Sequence, residues 1–164
     1  MEILIPGLIL VGLMVYASTK IKKTAAMAYD EEQFENDQFT ILKPEGFIIP
    51  VEFERNGLFE AYTKDFGVDE GGDIRKASAV VRFHPDTTCE RLGNEVGGIE
   101  VGVGEADNLT LTEESDLRGA AIIKTHRLRG SNGGVYHLQI DALDDGDTIV
   151  PERVSLMADS FKLR

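Results

Sequence analysis

The 164-residue chain has a single cysteine, Cys89, no tryptophan and a deficit of positive charge. One thiol excludes an internal disulfide framework and a cysteine-rich zinc site. Seventeen Lys and Arg against 29 Asp and Glu leave a formal net charge of −12. That balance argues against sequence-independent binding of nucleic acid, whose phosphates need a clustered basic surface. Apolar content of 42% with 28% charged residues excludes wholesale disorder. The length suits one folded unit with a short additional segment.

At its start the chain has a run without one charge, residues 3–19, ILIPGLILVGLMVYAST. At 1.5 Å per residue this is roughly 25 Å of helix, a little short of a hydrocarbon core of ~30 Å. Ile21 extends the apolar stripe, and Lys20, Lys22 and Lys23 can snorkel to the interface. Pro6 falls near the start, where its missing N–H costs least, and Tyr16 lies at headgroup level. Ile3, Leu4, Ile5, Leu8, Ile9, Leu10, Val11, Leu13, Met14, Val15 and Tyr16 are the expected lipid contacts. A buried core helix is the rival reading, but a terminal apolar run closed by three lysines is unusual in a soluble domain. Ala26-Met27-Ala28 matches a signal-peptidase pattern. Met1-Glu2 carries no basic side chain, however, and the lysines follow the apolar run instead of preceding it. An uncleaved single-pass anchor with its C-terminal domain in the cytoplasm is therefore expected, an exported tethered domain being the alternative. No cysteine near the run allows a lipoprotein anchor.

The expected organisation is a transmembrane anchor over residues 1–23, an acidic linker over 24–38 and one domain over 39–164. After Lys23 the balance is 14 basic against 28 acidic residues. This charge keeps a domain soluble and would be repelled by an anionic leaflet. Phe39-Thr40-Ile41-Leu42-Lys43 alternates like a strand and stops at the turn Pro44-Glu45-Gly46. Residues 47–53 form a second extended run in which Pro50 suggests an edge strand. Residues 58–66 read as extended, 67–76 as a polar, glycine-rich loop and 79–83 as a strand. Thr87-Thr88-Cys89-Glu90 fits a capping box, with Thr87 as the cap of a helix that Gly97-Gly98 stops near Val96. Residues 108–116, 120–128 and 134–143 read as strands, the last two joined by a hairpin loop over 129–133. Val150, Val154, Met157, Ala158 and Phe161 form one apolar stripe on a closing helix, with Pro151 in its first turn. Antiparallel strands with two amphipathic helices define an α+β sandwich, an antiparallel sheet packed with helices and preceded by a single transmembrane helix.

Three short stretches carry a family resemblance: Phe39-Thr40-Ile41-Leu42-Lys43-Pro44-Glu45-Gly46-Phe47, Leu117-Arg118-Gly119-Ala120-Ala121, and Ala158-Asp159-Ser160-Phe161-Lys162. With the order of elements, they make residues 39–162 resemble the PsbP-like domain superfamily. This superfamily includes the extrinsic PsbP subunit of photosystem II and the Ran-binding Mog proteins. The resemblance implies an α/β/α sandwich and a non-catalytic binding or assembly role, often at a membrane complex. The acidic charge and apolar N-terminus depart from the pattern, so neither photosystem binding nor Ran binding is carried over, and no functional residue is transferred.

His84, His126 and His137 are the only candidates for general-base work near neutral pH. His126 and His137 flank one hairpin and are expected as cross-strand neighbours. They could form a two-histidine metal patch with Asp141 or Glu114, or simply sit as sheet residues among Lys124, Arg127 and Gln139. No ligand repeats at the short fixed spacing of a zinc site. Asp141, Asp144, Asp145 and Asp147 miss the calcium-loop spacing and read as a turn with helix-capping acids. Gly97, Gly98, Gly102 and Gly104 lack a phosphate-loop pattern. Cys89 lies in a first helical turn, where the dipole could lower its pKa, but no histidine is positioned beside it. Arg118, Lys124, Arg127 and Arg129 form the one basic cluster, which could dock an acidic partner or simply be a solvated sheet face. The expected function is therefore a non-catalytic, membrane-anchored protein-binding or assembly module. It needs no cofactor or nucleic acid, and its partners are the lipid bilayer and a protein of a membrane complex. The alternatives are a small-ligand carrier or sensor and a metal-dependent enzyme using His126 and His137.

Overall fold

The computed structural model describes residues 4–50, 57–64, 66–69, 72–100, 107–117, 119–146 and 148–164; within its first helix the described side chains are those of 11–20, 22 and 27. Helix α1 spans Leu4–Met27. Val11, Leu13, Met14, Val15 and Tyr16 on it stand 60–67% exposed. Among the described residues, no helix is long and apolar enough to cross a membrane.

The stretch read as a linker contains strand β1, Glu32–Glu35, which pairs antiparallel with β2, Phe39–Lys43. Its side chains are exposed except Phe34, whose ring stacks on Phe39 and Phe59 at centroid distances of 5.9 and 5.0 Å. One aromatic anchor and a backbone ladder suffice to fold an acidic segment onto the domain. The other edge of β2 takes β12, Lys162–Leu163, completing a three-stranded sheet.

The main sheet is antiparallel and seven-stranded, in the order β3-β4-β7-β11-β10-β9-β8. Its strands are β3 (Phe47–Ile48), β4 (Phe59–Thr63), β7 (Ala77–Pro85), β8 (Ile99–Glu100), β9 (Asn108–Leu117), β10 (Ala120–Ser131) and β11 (Gly134–Leu143). β3 is an edge strand and ends before Pro50; residues 51–53 of that expected run lie outside the described residues. The loop expected over 67–76 is instead a hairpin of β5 (Phe66–Asp69) and β6 (Gly72–Arg75). Gly67 explains part of this: a Cβ there would meet the Leu143 side chain, so glycine lets the hairpin approach the sheet without displacing that leucine. The β10–β11 turn is Asn132-Gly133, two residues instead of five, because the ladder continues to Ser131↔Gly134 and Gly133 supplies a φ of +113°.

Two further helices cover opposite faces of this sheet. Helix α2, Cys89–Val96, is capped by Thr88, not Thr87: Thr88 is extended and its Oγ1 accepts from Arg91 N–H at 3.3 Å. The cap is therefore displaced by one residue, Arg91 instead of Glu90 falls at the third helical position so that no capping box is formed, and Gly97, at φ +78°, ends the helix. Helix α3, Ile149–Ser160, follows Thr148, which makes no side-chain cap bond. Directly paired residues of an antiparallel ladder share a face. Val81, Leu138, Ile140 and Ala142 thus pack beside Val154, Met157 and Phe161, with Phe39 and Ile41 from β2, in the larger core. Leu111, Leu128 and Val135 project to the other side and meet Cys89 and Leu92 of α2 in a smaller core. The result is the expected α+β architecture, antiparallel strands between two helices.

Candidate functional site

The three histidines converge on the α2 side of the sheet. The ladder pairs His126 with Gln139 and Leu111, His137 with Leu128 and Arg82, and His84 with Val135. All three therefore share one face, and His126 and His137 are diagonal neighbours, not directly opposed. His126 is 3% and His137 5% exposed. His126 Nδ1 lies 2.9 Å from His137 Nε2, and the His84 and His137 rings are 5.5 Å apart at their centroids. Sequence reasoning placed the pair together but left out His84, which reaches it only because β7 pairs with β11.

Burial dominates the electrostatics of this trio. His137 is pushed down to about 3, first by desolvation and then by its histidine neighbours and Arg82. Desolvation also lowers His126, against the pull of Glu113 and Asp141, and lowers His84, helped by Arg82. A base this weak takes no proton near neutral pH, so the pair works as a neutral hydrogen-bonded couple. One nitrogen donates and the other accepts. The Nε2 atoms of His84 and His126 are buried without a hydrogen-bond partner. Glu113 Oε2 stands 3.9 Å from His126 Nε2, while its other oxygen is 3.7 Å from Lys124 Nζ.

Of the two readings of the histidine pair, the metal patch is not assembled among the described residues. Glu113 pairs with Lys124 on the histidine face, so its neighbour Glu114 points to the opposite one. Asp141 instead accepts from Gln139 Nε2 at 2.9 Å. Among the described residues, no group of three or more His, Cys, Asp or Glu is placed to hold a metal. Asp144 and Asp145 are exposed, and Asp145 pairs with Lys76 at 3.0 Å. Asp147, Gly102 and Gly104 lie outside the described residues.

Cys89 reverses its expected shift: burial, then Asp107, push the thiol up, outweighing any stabilisation from the helix terminus. It is a core side chain of α2.

The basic cluster divides between faces. Lys124 shares the histidine face, whereas Arg127 and Arg129 alternate onto the α3 face; Arg118 lies outside the described residues. Arg127 donates to Thr110 Oγ1 at 2.7 Å and forms an ion pair with Asp159 of α3, which ties helix to sheet. Arg129 is half-buried and donates to Leu128 O at 3.4 Å. One buried cation escaped sequence reasoning altogether: Lys43, 1% exposed, at an inward position of β2. Its signal was the alternation itself, since Phe39, Ile41 and Lys43 fall on one face.

No family model and no curated relative matches the chain. Solved structures do share its fold. A Bacteroides thetaiotaomicron VPI-5482 crystal structure aligns with a TM-score of 0.55 at 11% identity, over 81% of this chain and 48% of that one. The chain therefore spans about half the length of that protein. The Saccharomyces cerevisiae Ran-binding protein Mog1p aligns with a TM-score of 0.53 at 12% identity, over 82% and 96%. LpqN, involved in cell envelope biogenesis of Mycobacterium tuberculosis, aligns with 0.52 at 14% identity, over 82% and 90%. The architecture is thus that of the PsbP/Mog1-like fold.

Proposed function

We propose that this chain is a membrane-anchored, non-catalytic protein-binding module that serves a membrane-associated complex. The binding role is carried by the fold it shares with nearly the full length of a Ran-binding protein, and the envelope protein LpqN extends that likeness. The buried, neutral histidines and the buried thiol favour binding over chemistry, because neither offers a charged nucleophile or a base poised near neutral pH. The anchor rests on residues 3–19, a stretch without a charge, on its continuation as a helix to Met27, and on the exposure of Val11 to Tyr16. Apolar side chains held in water would cost about 25 cal/mol per Å², so a bilayer is the natural surrounding for them. The lysines after the run favour a cytoplasmic domain. Fractionation of cells expressing the full chain, alkaline extraction and cross-linked co-purification in mild detergent test this reading. Recovery in the membrane pellet with a stoichiometric protein partner is expected. A freely soluble chain would remove the anchor, and a lone monomer from native membranes would remove the partner.

A further inference from the structure

Lys43 sits where the alternation of β2 calls for an apolar residue. Among the described residues no carboxylate lies within ion-pair distance of its ammonium. Instead Nζ donates to three backbone carbonyls: Ala28 at 3.0 Å, Phe47 at 3.2 Å, and Asp30. A buried ammonium is tolerated only when its donors are satisfied, and here the chain just beyond α1 satisfies two of them. The residue between is held as well. Gly46 N–H donates to Tyr29 O at 2.8 Å, and Lys64 Nζ lies 5.6 Å from the centre of the Tyr29 ring. The carbonyls of Ala28, Tyr29 and Asp30, the first three residues after Met27, are therefore all bound to the turn between β2 and β3 or to Lys43 before it. A swivelling linker needs those groups free.

The sheet register says which end of the domain this junction occupies. Phe47 pairs with Thr63, Thr63 Oγ1 accepts from Ala77 N–H at 3.0 Å, and Ala77 pairs with Ala142. These residues make one row across the sheet beside the exit of α1. The β10–β11 turn at Asn132-Gly133 closes the other end, where Gly134 pairs with Pro85. The ten residues of β11 separate the two ends by roughly 30 Å at ~3.3 Å per residue.

We propose that Lys43 locks the exit of α1 onto the β2–β3 turn, so that the domain meets the lipid headgroup layer with its Glu45 end and holds the Asn132 hairpin away from it. This rests on the anchor reading above. It replaces a tethered domain with one of fixed attitude, which a partner must approach from the side or the far end.

The test uses the full chain in phosphatidylcholine vesicles carrying an acceptor-labelled phosphatidylethanolamine. Donor dyes go on Glu45→Cys or Asn132→Cys, with the buried Cys89 left in place. Transfer from position 45 should exceed that from 132 by roughly twofold or more, given the span of the sheet. Lys43→Met, or a flexible Gly-Ser insert between Met27 and Ala28 that keeps Lys43 intact, should erase the contrast. Equal transfer in the unmodified chain overturns the proposal, and so does a contrast that survives the insert. If the chain does not sediment with vesicles, the anchor reading fails alone. The lock is then read from spin labels at Ser18→Cys and Asn132→Cys, where one narrow distance distribution that broadens with the insert supports it and a broad one in the parent overturns it.

Discussion

The imidazoles of His126 and His137 meet through a 2.9 Å Nδ1···Nε2 contact although the ladder pairs neither with the other. The contact runs diagonally between β10 and β11, on the face that α2 covers, and both rings are held neutral by burial.

A pH dependence follows, and its sign is set by lowered values. The unfolded chain takes up protons on these histidines below about pH 6.5, while the folded chain resists, His137 down to about 3. Their contribution is therefore complete above about pH 6.5 and is lost as the pH falls toward the folded values, for His137 by up to about 1.4 kcal/mol per pH unit. Urea midpoints of the full chain at pH 7, 6 and 5 should fall, and His137→Gln should flatten that slope while lowering stability at pH 7. A slope identical in parent and variant would show that His137 is not its source.

Thr88, not Thr87, caps α2. Thr88→Ala should cost about 1 kcal/mol and Thr87→Ala only a few tenths, because only the first removes a partner from a helical N–H. Chemical denaturation of the two variants distinguishes them; equal losses would place the cap elsewhere.

Phe161 is fully buried and meets Phe39 edge to face, with ring centres 5.6 Å apart. Phe161→Ala should destabilise by about 3–5 kcal/mol through lost burial and the cavity it leaves. Leu156, on the solvent side of α3, the helix that Phe161 closes, and 54% exposed, should tolerate alanine within about 0.5 kcal/mol. Thermal melts of both variants check the contrast, and comparable losses would mean that α3 presents a different face to the sheet.

Arg127 and Asp159 tie β10 to α3. Asp159 is 68% exposed, so solvent screens the pair and a double-mutant cycle should return a coupling of about 0.2–1 kcal/mol. Arg127→Ala alone should cost more than Asp159→Ala, since it also removes the bond to Thr110. Coupling indistinguishable from zero would make the pair decorative.

Legibility followed periodicity. β11 was readable residue for residue, and the α3 stripe of Val150, Val154, Met157 and Ala158 was readable as a core face, because each repeats with its own element's period, although Phe161, expected on the helix, is its extended C-cap. β1 was missed since one inward residue, Phe34, carries all of its packing amid acidic neighbours. The β5–β6 hairpin was missed because its glycines read as a loop until Gly67 is seen against Leu143. The histidine pair was foreseen from its place about one hairpin. Its third member and one of its two acidic neighbours, Glu113, were not, since both depend on which strands pair.

Local order alone therefore determined the long strands of the main sheet, the capped helix region, the closing helix, the charge and the apolar start, each of them encoded within a few adjacent positions. Tertiary structure decided what lies far apart in the chain and close in space: the two separate cores, the neutral histidine trio, the division of the arginines from Lys124, and the burial of Lys43. Burial and strand register are properties of the assembled sheet, and they, more than residue type, set whether a histidine is charged or a lysine faces water.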